Sequence, residues 1–170
     1  MIFGIGVDVL SADRMRQTFE RFGERIVERL LMPAEREQLK RTARIERFLA
    51  MRFAAKEAIV KAMGTGFSHG IWIRDVGIVQ NAWGKPEVIY SPRGELVRRK
   101  LGIGEGHVTL TDESGLVVAV AVLLRAVRSA RAKKRRAQLQ TGARIKSKTS
   151  AKTKSKATSK RPGKPKARTR

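Results

Sequence analysis

Cysteine is absent from the sequence, and histidine occurs only twice, at His69 and His107. The first absence excludes disulfides, thiolate metal sites and a cysteine nucleophile; the second leaves too few ligands for a structural zinc site or a multi-histidine metal centre. No run reaches the ~18 apolar residues of a membrane-spanning helix. The N-terminus, MIFGIGVDVL, has no basic residue ahead of its apolar stretch and is interrupted by Asp8, unlike a secretory leader. These absences predict a soluble protein of the cytosol. Acids are also missing, but only locally: residues 127–170 hold 18 Lys or Arg and no Asp or Glu.

The formal net charge of +23 in 170 residues therefore averages two unlike regions. Residues 1–126 carry 20 basic and 15 acidic side chains, an ordinary balance for a single domain. Residues 127–170 are rich in Lys, Ser, Thr and Ala and contain no aromatic residue. Such a segment cannot bury enough apolar surface to offset its ordering entropy, which predicts a disordered tail. Its composition suits nucleic acid or another polyanion through counterion release, or a solvated extension with no partner.

Within residues 1–126 the pattern is legible. Residues 2–10 read as a buried strand carrying one acid, Asp8. A helix follows, with Ser11 as N-cap, Asp13 in its first turn, and Met15, Phe19, Phe22 and Ile26 at helical spacing; Arg14, Arg21 and Arg25 lie on another face. Residues 27–32 end at Pro33, and a short helix is expected over 34–41. Residues 44–63 contain neither Gly nor Pro and predict a long helix, stopped by Gly64-Thr65-Gly66. Strands at 71–80 and 87–90, a helix from Pro92 to 101, and a hairpin of 107–111 with 116–124 about Asp112-Glu113-Ser114-Gly115 complete the reading. Helices gathered early and strands late argue for an α+β fold with a mainly antiparallel sheet packed on the long helix.

The long helix carries charges where they do not belong. Ile45, Leu49, Phe53, Ile59, Val60 and Met63 form an apolar stripe, yet Arg52 and Lys56 project from its middle, and Glu57 with Lys61, an i,i+4 pair, sits on its border. Ala50, Ala54, Ala58 and Ala62 make the opposite side small and apolar, so the helix is expected to be enclosed on several sides. Paired structural charge and functional charge both account for these four residues. Asp8 needs a partner as well, since an unpaired buried carboxylate is costly. Lys56, Lys61 or a divalent ion shared with Glu57 would serve; two carboxylates completed by waters and substrate phosphates suit magnesium. Gly64 and Gly66 fit a helix C-cap or a close approach of phosphate to the backbone, and His107 fits packing or an anion contact. The Arg14, Arg21 and Arg25 face fits solvent or an acidic protein partner.

The segments GIGVD at 4–8, RFAAKEAIVKAMGTG at 52–66, GKP at 84–86 and HVTLTDE at 107–113, in that order and spacing, resemble the holo-acyl-carrier-protein synthase family of 4′-phosphopantetheinyl transferases. The resemblance spans about 126 residues and excludes the tail. It implies a phosphopantetheinyl transferase-like fold, a homotrimer with active sites between subunits, and magnesium-dependent transfer of 4′-phosphopantetheine from coenzyme A to a serine of apo acyl carrier protein, in fatty acid biosynthesis. It further implies that Asp8 and Glu57 hold the magnesium, that Glu57 or a metal-bound water serves as base, and that Lys61 neutralises the reacting phosphate and orients or activates the serine. Arg52, Lys56, Gly64, Gly66 and His107 are then expected to contact the coenzyme, and Arg14, Arg21 and Arg25 the acidic carrier. The competing expectation is a basic nucleic-acid-binding protein with a catalytically idle body.

Overall fold

The structure is a computed structural model that describes residues 1–127; the expectation of a disordered tail lies outside the described residues. The chain forms β1 (Ile2–Ser11), α1 (Ala12–Phe22), α2 (Glu24–Leu30), α3 (Pro33–Leu39), α4 (Ile45–Met63), a 3-10 turn (Ile73–Asp75), β2 (Val76–Gln80), β3 (Pro86–Tyr90), α5 (Pro92–Leu101), β4 (Ile103–Glu113) and β5 (Leu116–Arg125). The five strands make one antiparallel sheet in the order β1-β5-β4-β3-β2. This is the α+β architecture expected from the sequence.

Small residues determine where α4 sits. Gly4, Gly6 and Asp8 alternate with Ile5, Val7 and Val9 along β1, so the glycines share one face of the pleat. A Cβ at Gly6 would collide with the Ala58 carbonyl, and one at Gly4 with the Ala62 carbonyl. On β5, Ala121 pairs with Gly6 and Ala119 with Asp8, and both alanines are fully buried. The GIG motif and the alanine side of α4 are therefore one packing device: backbone lies almost on backbone. Leu49, Ile59, Val60 and Met63 point to other parts of the core, so α4 is buried nearly all round.

Three local expectations are corrected. The first helix does not run on to Ile26; Gly23, at φ 51°, breaks it into α1 and α2, and Phe22 is 46% exposed. The strand expected over 71–80 begins only at Val76, because the Asp75 carboxylate accepts the Trp72 N–H (2.8 Å) and closes a turn ahead of it. The hairpin turn tightens to Ser114-Gly115, both left-handed (φ 50° and 77°), as a two-residue connection between twisted strands requires. On the sheet face away from α4, Ile5, Val7 and Val9 are about half exposed, beside Val118, Val120 and Val122.

Candidate active site at the junction of β1 and α4

Close packing of β1 on α4 brings Asp8 to the charged end of the helix. The Lys61 ammonium donates to Asp8 Oδ1 at 2.7 Å and to the Val7 carbonyl at 3.2 Å. Asp8 is mostly covered, whereas Lys61 remains half exposed. Glu57, one turn earlier on α4, is half-buried; burial raises its pKa above the ordinary carboxylate value, the Asp8 charge raises it further, and Lys61 opposes both. Of the two lysines the sequence left open for Asp8, the fold selects Lys61. The expected i,i+4 pairing of Lys61 with Glu57 gives way to the cross-element bond with Asp8.

This donor set has a definite chemistry. Two carboxylates and a lysine converge, and among the described residues no cluster of three or more His, Cys, Asp or Glu could enclose a metal. A closed zinc or calcium cage is not available here. A hard ion that retains waters and completes its shell with substrate phosphate, as magnesium does, would fit these side chains. Nearby, Gly64 caps α4 in the left-handed conformation (φ 73°), with the Thr65 and Gly66 amides bonded to the Val60 carbonyl. A Cβ at Gly64 would meet nothing within 4 Å, so backbone conformation rather than crowding calls for glycine. The Thr65 hydroxyl beside it is buried without a partner.

Lys56, expected to contact the coenzyme, sits apart from this cluster. It is fully buried, forms an ion pair with Glu35 at 2.8 Å, and donates to the carbonyls of Val76 (2.7 Å) and Ile73 (3.1 Å). Desolvation lowers its pKa, with the Glu35 charge acting against that. Glu35 also accepts the Met32 and Ile78 amides at 2.8 and 3.0 Å. Gly77 leaves room for it, since a Cβ there would lie 2.9 Å from the Glu35 carboxyl carbon. The sequence reading missed Glu35: the buried lysine signals that some acid must meet it, but not which one. Arg52 shares this region. Its guanidinium donates to Gln38 (3.1 Å), lies 3.9 Å from Glu35 and stacks 4.0 Å from the centre of the Phe48 ring. Its Nε is buried without a hydrogen-bond partner, and it lines a cavity of about 360 Å3 with Arg41, Arg44 and Arg47.

The remaining expected residues are dispersed. His107 is exposed on β4, 3.8 Å from Glu105, and lines a separate cavity of about 350 Å3 with Lys85, Pro86 and Arg98. Arg14, Arg21 and Arg25 are exposed and form no ion pair among the described residues, while the adjacent Arg16 is held by Asp13 and Glu20.

Residues 4–121 match the family model described as the 4′-phosphopantetheinyl transferase superfamily, and the chain belongs to that superfamily. Within it, the chain is of the holo-acyl-carrier-protein synthase type. It is 39% identical over 124 residues to the holo-[acyl-carrier-protein] synthase of Halorhodospira halophila, covering 73% of this chain and 98% of that one. The crystal structure of the Neisseria meningitidis synthase superposes with a TM-score of 0.70 at 36% identity, over 74% of this chain and all of that one. The Bacillus anthracis synthase, solved in complex with CoA (3′,5′-ADP), gives 0.60 at 31% identity, over 75% and 99%. The protein is a phosphopantetheinyl transferase.

Proposed function

We propose that the chain transfers 4′-phosphopantetheine from coenzyme A to a serine of apo acyl carrier protein, releasing adenosine 3′,5′-bisphosphate, with Asp8, Glu57 and Lys61 as the chemical centre. The observation that carries this reading is the convergence of two carboxylates and one lysine where β1 meets α4. Asp8 and Glu57 would hold magnesium, which when bound supplies positive charge at the pyrophosphate. Lys61 brings a second positive charge to the phosphoryl group under attack. Phosphoryl transfer depends mainly on positioning and charge stabilisation, which these groups provide. Glu57 takes the proton of the serine hydroxyl as the serine oxygen bonds to phosphorus and the bond to the leaving bisphosphate breaks.

Coenzyme contacts divide among several places. The cavity beside Arg52, with an orphan Nε and three further arginines, suits a phosphate group. Gly64, Gly66 and the His107 cavity are further contacts in this reading. Arg52 and His107 line separate cavities of one chain, so a site between subunits of a homotrimer accounts for their joint use. The apolar sheet face of Ile5, Val7 and Val9 is suited to burial between such subunits. Arg14 and Arg21 on α1, with Arg25 on α2, offer the carrier exposed basic side chains. Fatty acid biosynthesis and a cytoplasmic location complete the proposal; no helix among the described residues is long and apolar enough to cross a membrane.

Incubation of apo carrier with coenzyme A and magnesium, followed by mass spectrometry, tests the reading. A gain of phosphopantetheine is expected, lost in Asp8→Ala and in Glu57→Ala. No gain on a competent carrier would overturn it, and magnesium-dependent turnover by either variant would reject the metal assignment. A second activity rests on the 18 unopposed basic residues of 127–170: salt-sensitive polyanion binding that truncation after Ala126 removes, with transfer retained.

A further inference from the structure

An open groove of about 980 Å3 runs between α2, α3 and the Ile73–Asp75 turn, and the chemistry above makes no use of it. Five arginines line it: Arg25 and Arg29 from α2, Arg36 from α3, Arg74 from the turn and Arg93 from α5. Only two acids, Glu28 and Asp75, oppose them. Asp75 is already engaged by Arg93 at 2.7 Å and by the Ser91 hydroxyl at 2.6 Å. Arg29 and Arg36, like Arg25, form no ion pair among the described residues. The wall between these cations is apolar. Trp72 is 66% exposed, with the Arg93 guanidinium 4.6 Å from its ring centre, and Phe67 and Ile73 adjoin it.

Trp and Arg together are the residue types that dominate binding at protein interfaces, because each offers a large contact area alongside directional donors. The guanidiniums come from four separate elements and line an open groove, so they suit an extended acidic surface better than a single phosphate. Phe67 ties the groove to the loop that leaves α4 after Lys61 and Gly64. We propose that this groove is a docking surface for the protein substrate, taking an acidic segment of the carrier with an apolar side chain set against Trp72. The inference rests on the transferase reading and extends the carrier's footprint from Arg14, Arg21 and Arg25 along α2 to α3 and the Ile73–Asp75 turn, with Arg25 common to both surfaces.

The test compares wild type with the charge-reversed double variant Arg29→Glu/Arg36→Glu and with Trp72→Ala, at exposed or half-buried positions, after calorimetric melting has established that each is folded. The KM for apo carrier is expected to rise tenfold or more in the double variant and severalfold in Trp72→Ala. Coenzyme A affinity, measured by titration calorimetry, stays at the wild-type value, and the salt dependence of the carrier KM flattens. An unchanged carrier KM overturns the proposal, and so does a loss confined to coenzyme A affinity, which would assign the groove to the coenzyme. Direct titration of apo carrier into each protein reads the same surface without turnover. Failure of the transferase reading is thereby distinguished from failure of the groove: the first leaves wild type inactive on a competent carrier, and the second leaves carrier binding equal in wild type and variants.

Discussion

Arg52 and Lys56 stand within three turns of Glu57 and Lys61 on the same helix, yet the two pairs live in different environments. The first pair faces α3 and β2, where Glu35 lies fully buried and every donor of Lys56 meets an acceptor. The second faces β1, where Lys61 is half exposed and Glu57 has its pKa raised. Lys56 spends its charge on Glu35 and two carbonyls, whereas Arg52 keeps an unpaired Nε and Lys61 remains half exposed. Exposure and unsatisfied charge, rather than residue type, separate function from architecture along α4.

The sharpest way to break this contrast is Glu57→Ala. It should abolish transfer to the carrier, read by mass spectrometry, while the melting temperature measured by calorimetry moves little, because a half-buried carboxylate with a raised pKa is not a source of stability. On the other side of the helix, Glu35→Ala should do the reverse. It strands a buried ammonium, at a cost of about 3–5 kcal/mol in denaturant unfolding. The double variant Glu35→Leu/Lys56→Met should recover most of that loss and retain turnover; loss of turnover in the folded double variant would show that the buried pair also sets the position of Glu57.

Smaller effects test the frame around both pairs. Gly6→Ala forces a methyl group against the Ala58 carbonyl and is expected to lower unfolding stability by ~1–3 kcal/mol, as overpacking does. Arg47→Ala removes the bond to Asp112 (2.6 Å) that links the start of α4 to β4; at partly exposed positions it should cost no more than ~1 kcal/mol. The least effect belongs to Glu95, whose pKa is held at about 2 by hydrogen bonds from Arg98 and Arg99. A depressed folded-state pKa contributes stability that is present above the ordinary value of 4.5 and lost as pH falls from there toward 2. Glu95→Gln should flatten that part of a stability-versus-pH curve, lowering stability slightly at neutral pH and leaving it unchanged near pH 2.

Much of the fold was legible because its signals are local. The α4 stripe, the glycine stop at Gly64 and the Pro92 helix start each follow from backbone preferences of nearby residues, and all three lie where the pattern places them. The misread segments have equally physical causes. Helical spacing continues past Gly23, so periodicity alone could not locate the break, and the early part of 71–80 looks apolar enough for a strand until Asp75 ties its carboxylate to Trp72, Ser91 and Arg93. For the site, the anomaly of charged residues on an apolar helix pointed to α4, but marked both pairs alike. Nothing in the spacing announced Glu35, 21 positions before Lys56 and in a different helix.

The sequence by itself determined that residues 1–126 form an α+β domain, that Asp8 and α4 carry charge requiring partners, and that most of the excess positive charge belongs to residues 127–170. Those conclusions need only composition and near-neighbour periodicity. The tertiary structure alone decided which lysine meets which acid. That choice turns on the absence of side chains at Gly4 and Gly6, which lets β1 close onto α4 and bring Asp8 to Lys61, and on Gly77, which leaves the space where Glu35 receives Lys56. Ion pairing acts over a few ångströms in space, and sequence separation does not encode that distance.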